Sequence, residues 1–153
     1  MIRLADEFFA VKNDPTQIAV TAEVMERLRR IHPATLSEEN YGQGPVAWIL
    51  LIPTTTSVME KFLAKQRTER ELLEQTLPGE SYDAVYLCSA LVLPEYRRTG
   101  IAKRLTCSAV RAIQAEHPIR SLFTWSFSEE GAKLAEAVAH KLTLPLYVRP
   151  RER

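Results

Sequence analysis

The chain has 153 residues, 46% hydrophobic and 25% charged, with 20 Lys and Arg against 19 Asp and Glu and only two cysteines. Such values exclude a disordered chain, a fibre and a disulfide framework. A formal net charge of +1 argues against whole-surface attraction to nucleic acid, while leaving room for a local basic patch.

One domain is expected at this length, burying about 70% of the unfolded chain's surface. No Cys/His spacing suits zinc, so no metal is expected. The longest apolar run, residues 46–52, is far short of the ~20 residues of a membrane span. Asp6 and Glu7 stand where a signal peptide needs an apolar block, which points to a cytoplasmic chain with no membrane partner.

In chain order, residues 7–12 read as a strand. A helix follows, capped by Asp14 with Pro15 and Gln17, and Ile18, Ala22, Met25 and Leu28 keep helical spacing until His32-Pro33. Residues 33–45 read as a loop. The apolar run 46–52 suits a strand covered on both faces. Ser57 and Glu60 form a capping-box pattern for one helix over 57–76. Leu77-Pro78-Gly79 stops it, and residues 82–93 form the next strand. After a turn comes a helix to about residue 116, then a strand over 119–126, a helix capped by Ser128 to about residue 141, and a last strand over 142–148 interrupted by Pro145. Alternating strands and helices predict an α/β domain with a parallel or mixed sheet.

The informative segment is Leu91-Val92-Leu93-Pro94-Glu95-Tyr96-Arg97-Arg98-Thr99-Gly100-Ile101-Ala102-Lys103-Arg104. It reads as strand, short turn and helix start. The first turn of a helix has N–H groups without internal partners and carries about half a positive charge. Gly100 and Ala102 add no bulk there, and residues 96–115 hold Arg97, Arg98, Lys103, Arg104 and Arg111 with no acidic residue. This pattern suits a phosphate or diphosphate. It lacks the Gly-Lys-Ser/Thr of a P-loop and the glycines of a dinucleotide-binding turn.

Read as Val92, Pro94, Arg97, Gly100 and Ala102, the segment resembles the acetyl-CoA signature of the GNAT superfamily of N-acetyltransferases, the likeness being strongest over residues 82–116. The resemblance implies a single α/β domain over residues 1–153, with a GNAT-like mixed, splayed β-sheet flanked by helices. It further implies backbone groups of Leu91, Val92 and Leu93 on the pantetheine arm and acyl carbonyl, and the amides of Arg97, Arg98, Thr99, Gly100, Ile101 and Ala102 around the diphosphate, supplemented by the side chains of Arg97 and Arg98. The implied reaction is direct transfer of an acetyl group from acetyl-CoA to a primary amine of a small molecule or peptide.

The family's proton-donating tyrosine has no counterpart, because residues 126–146 contain no tyrosine. Tyr147, Ser126 or a water are the substitutes. The strand before the signature lacks a carboxylate or histidine base, and Tyr86, Cys88 and Ser89 are its reactive side chains. Glu38, Glu39, Glu80 and Asp83 are the candidate bases, and Glu38, Glu39 and Tyr41 the candidates for selecting a cationic acceptor. The helix over 57–76 stands where the family joins its central strands by a short hairpin, so the resemblance makes it an insertion that could shape the acceptor mouth or form a homodimer contact. An acyl-CoA-binding sensor without turnover stays open as the alternative.

Overall fold

The computed structural model describes residues 21–42, 44–125 and 128–150. The expected strand at 7–12, the cap at Asp14 and the candidate Ser126 lie outside the described residues. Helix α1, Ala22–Ile31, is capped by Thr21, whose side chain accepts from the Val24 amide. Thr21 is extended (φ −95°, ψ 171°), so this helix starts at Ala22, and the expected helical positions from Pro15 to Ile18 lie outside the described residues. His32 ends the helix, and its Nδ1 accepts from the Ala34 amide while its Nε2 meets Glu116 Oε1.

Strand β1, Leu36–Asn40, runs antiparallel to β2, Pro45–Thr54. Residues 36–40 are thus a strand rather than part of a loop. Ser37, Glu38, Glu39 and Asn40 give no apolar run to read, and the strand exists because β2 supplies its hydrogen bonds. From Val46 onward every residue of β2 is buried, as an apolar run covered on both faces should be.

The single helix expected over 57–76 is two: α2, Thr56–Leu63, and α3, Glu69–Gln75. Lys65 adopts a left-handed φ of 64°, which no helix tolerates in its interior. Thr68 then starts α3 through a reciprocal capping box with Glu71. The cap of α2 is Thr55, not Ser57: its hydroxyl accepts from the Val58 amide.

Strand β3, Ala84–Val92, is central. It runs antiparallel to β2 and parallel to β4, Ser121–Thr124, which pairs in turn with a short parallel β5, Leu146–Val148. The sheet order is β1-β2-β3-β4-β5, so the fold is a mixed α/β sheet flanked by helices, as the alternation of elements predicts. Helix α4, Ile101–Gln114, packs against α5, Glu129–Leu142, and against β1, β2 and β3. Val110 and Ile113 of α4 are fully buried. Elsewhere in the core, Phe62 of α2 meets the edges of Tyr86, Phe123 and Trp125 at ring-centroid distances of 5.0, 5.9 and 6.0 Å.

Candidate functional site

Strand β3 parts from β4 half-way along its length. Pairing covers Ala84↔Ser121 to Leu87↔Thr124 and stops there, while β3 continues to Val92 along β2. The split begins at a bulge: Leu51 faces Leu87 and Leu50 faces Ser89, leaving Cys88 as the extra residue. A bulge bends its strand and disrupts the ladder locally. Beyond it, the Leu93 amide donates to the Val46 carbonyl, so Ala47/Val92 and Ile49/Ala90 are the non-hydrogen-bonded pairs of the antiparallel ladder. The peptide groups of Val92 and Ala90 therefore face the open side. Leu91 and Leu93 turn theirs to β2, which narrows the expected Leu91–Val92–Leu93 trio to Val92 and brings in Ala90. Strand alternation could have revealed Ala90 only once the register was known.

A cleft of about 850 Å³ occupies the opening. Its floor includes Ile49, Leu51 and Leu87, and its rim includes Tyr96, Arg97, Arg98, Gly100, Ile101 and Ala102. The far wall comes from Trp125 and from the start of α5, with Ser128, Glu130 and Gly131. Sequence reasoning missed this wall, because nothing local ties residues 128–135 to the signature turn. Thr106 of α4 also lines the cleft; it is buried, and its hydroxyl has no hydrogen-bond partner among the described residues.

The turn before α4 is shaped by two left-handed residues, Arg98 (φ 64°) and Gly100 (φ 83°). For Arg98 that conformation costs about 1 kcal/mol of strain. What it produces is a row of amides. Those of Arg98, Thr99, Gly100, Ile101, Ala102 and Lys103 have no hydrogen-bond partner among the described residues. Arg97 differs: its amide donates to the Pro94 carbonyl at 3.3 Å, and its Nε donates to the Val92 carbonyl at 3.1 Å. The row consequently begins one residue later than the sequence suggests, and extends to Lys103.

The contrast with the other helices is informative. Thr21, Thr55, Thr68 and Ser128 each cap their helix with a side-chain oxygen, whereas α4 begins at Gly100 with no side-chain cap and no acid in its first turn. The partial positive charge of the α4 terminus is thus left uncompensated, beside Arg97, Arg98, Lys103 and Arg104. An anion is the natural complement of such a terminus.

The other candidates are scattered. Tyr41 lies at the β1–β2 turn, edge-on to Tyr96 at 5.5 Å, and its hydroxyl accepts from Arg104 Nη2 at 3.4 Å. It therefore borders the amide row rather than a separate acceptor mouth. Glu38 and Glu39 sit on β1 opposite Trp48 and Ala47, outside the cleft lining. Tyr147 is 46% exposed on β5 and does not line the cleft either. Glu80 precedes β3 beside Tyr82, at the end of the strand remote from the bulge.

Asp83 lies at that same end and is fully engaged. Its carboxylate accepts from the Thr56 amide (2.7 Å), the Thr56 hydroxyl (2.8 Å) and Arg120 Nη2 (3.0 Å). Partial burial pushes its pKa up, but the bonds from Thr56 and Arg120 outweigh that and hold it below its ordinary 3.8. A depressed native pKa stabilises the fold above the unfolded-state value and loses that contribution as pH falls through the native one. Asp83→Asn should accordingly cost about 2 kcal/mol near neutrality. In urea titrations the difference from wild type should hold down to about pH 5 and shrink below pH 3.8.

The bulge also receives a carboxylate from outside the strand. Glu69, 5% exposed at the start of α3, accepts from the Tyr86 hydroxyl at 2.6 Å, and Cys88 Sγ lies 3.6 Å from the same oxygen. Burial, and then the Glu69 charge, drives the Tyr86 pKa well above its ordinary value, so this phenol stays protonated. Arg149, also buried, stacks on Phe62 and Trp125 at 4.5 and 4.4 Å and donates to the Arg67 carbonyl. Glu69 is thus buried although it stands in a run of mixed charges over 65–74.

Among the described residues no three His, Cys, Asp or Glu side chains gather as metal ligands, and no helix is long and apolar enough to cross a membrane. No protein-family model matches the chain, and no curated protein is detectably similar to it in sequence.

Proposed function

We propose that the chain is an N-acetyltransferase of GNAT type that binds acetyl-CoA in the cleft and passes the acetyl group directly to a primary amine. The observation that carries this reading is the run of six unpartnered amides, Arg98 to Lys103, at the mouth of a strand that parts from its neighbour. In the reading, the amides hold the diphosphate and the pantetheine arm lies along the exposed edge of β3. The Ala90 and Val92 peptide groups then stand where a thioester carbonyl gains negative charge during attack.

The amine attacks the thioester carbon, the C–S bond breaks, and the thiolate leaves. A thiol pKa of ~8.5 makes this a tolerable leaving group without a dedicated acid. An alkyl ammonium with a pKa near ~10.4 must first lose a proton. None of Glu38, Glu39, Glu69, Glu80 and Asp83 lines the cleft, but Glu69 brings a carboxylate to the bulge, 3.6 Å from the cleft-lining Cys88 Sγ, and is the group assigned that proton, by way of a water.

The test is a thiol-release screen with acetyl-CoA against polyamines, amino acids, aminoglycosides and peptide amino termini. Release with at least one class is expected. Tight acetyl-CoA binding without release from any amine would instead identify a sensor, and absence of binding would end both readings.

A further inference from the structure

Among the described residues the buried threonines are Thr35, Thr54, Thr76, Thr106 and Thr124. The hydroxyl of Thr35 donates to the Leu28 and His32 carbonyls. Thr54 and Thr76 share a bond at 2.7 Å, Thr76 donates in turn to the Leu72 carbonyl, and Thr124 donates to the Leu87 carbonyl at 3.0 Å. Thr106 is the exception. It is 3% exposed, and its Oγ1 is closed to solvent and has no partner. It does not turn back to the carbonyl four residues before it, as Thr76 does. A buried hydroxyl left in this way carries a desolvation cost that no bond offsets in the empty protein.

Its place in the fold gives the unmet bond a use. Thr106 lies inside α4, about 9 Å along the helix axis from Gly100, and it lines the same cleft as Ala90 and Val92 of β3. It is therefore past the row of amides and beside the open strand edge. The cleft lining also includes Ile49, Leu51, Leu87, Leu134 and Ala135. Among such apolar side chains a charged group is costly, whereas a neutral group that both donates and accepts suits a hydroxyl, which does the same.

We propose that Thr106 is a ligand-binding residue whose hydroxyl hydrogen-bonds an amide of the pantetheine arm. The proposal rests on the acetyl-CoA reading, which lays that arm along β3. The arm carries two neutral amides between the diphosphate and the thioester. The peptide groups of Ala90 and Val92 serve the arm from the strand side, and Thr106 serves it from the helix side. Rotation about χ1 exchanges the hydroxyl with the methyl, and a helical threonine adopts both positions, so the hydroxyl can follow the ligand. Binding then relieves a cost that the empty protein bears, which makes Thr106 a residue kept for its ligand at the expense of stability.

Urea unfolding without ligand and calorimetric titration with acetyl-CoA, on the full chain and its Thr106→Val and Thr106→Ser variants, test this. Thr106→Val keeps the branched shape and removes the hydroxyl. It should raise the urea midpoint of the empty protein and weaken acetyl-CoA binding about tenfold. Thr106→Ser keeps the hydroxyl and should hold close to the wild-type affinity. A lower midpoint or a lost fold in the valine variant would mean that the hydroxyl is already engaged in the empty chain, and would overturn the proposal. Unchanged affinity in the valine variant, or equal losses in both variants, would overturn it too, while leaving the acetyl-CoA reading standing. Failure of the wild-type chain to bind acetyl-CoA would overturn both.

Discussion

Gly100→Leu is expected to weaken acetyl-CoA binding by more than about tenfold, or ~1.4 kcal/mol, in a protein that still folds. Gly100 holds φ at 83° as the N-cap of α4, a region where a side chain costs about 1–2 kcal/mol. A Cβ at this position would meet only Arg104 Nη1, at 3.4 Å, which is ordinary contact, so the protein itself has space for it. The bulk beyond Cβ would instead enter the cleft that Gly100 lines, and any relaxation of φ would turn the row of amides. Ala102→Leu separates the two effects, since Ala102 lies within α4 and also lines the cleft. Its added bulk should weaken binding with no left-handed strain. Unchanged calorimetric affinity in both folded variants would remove the amide row from the binding site.

Glu69→Ala should be the more damaging change to the fold. Glu69 is buried and accepts the Tyr86 hydroxyl. Tyr86 itself is completely buried, so truncation leaves its hydroxyl without that acceptor. Removing the charged partner of such a bond costs about 2–3 kcal/mol, measurable as a lower urea midpoint. Glu69→Gln keeps an acceptor for Tyr86 and should cost about 1 kcal/mol. If Glu69 takes the proton from the amine, the Gln variant should lose about a hundredfold in kcat with little change in acetyl-CoA affinity. A folded Gln variant with wild-type turnover would leave Glu69 a purely structural role.

Taken together, these variants separate two contributions to one site. Gly100 tests the backbone cradle and Glu69 the proton. Each changes a different observable: affinity for acetyl-CoA, or turnover at saturation.

Local sequence was enough for the parts of the protein built from local rules. Strand, turn and helix start at residues 91–104 follow from an apolar run, Pro94 and Gly100, since turn chemistry and helix entry are decided within a few residues. The Ser128 cap, whose side chain accepts from the Gly131 amide, was legible for the same reason. Residues 36–40 were not, because a polar edge strand has no pattern of its own and borrows its hydrogen bonds from β2. Nor was the break at Lys65, where helical spacing continues on both sides of a single left-handed residue.

The candidate site divides in the same way. Sequence by itself determined the donors: which amides open α4, and that small or basic residues surround them. Tertiary structure decided which of those donors are free, with Arg97 turned to Pro94 and Val92 and the row running on to Lys103. It also decided what lies near them, bringing Glu69 to the bulge from α3. A backbone conformation is set by its nearest neighbours in the chain, whereas the burial and pairing of a charge depend on elements dozens of residues away.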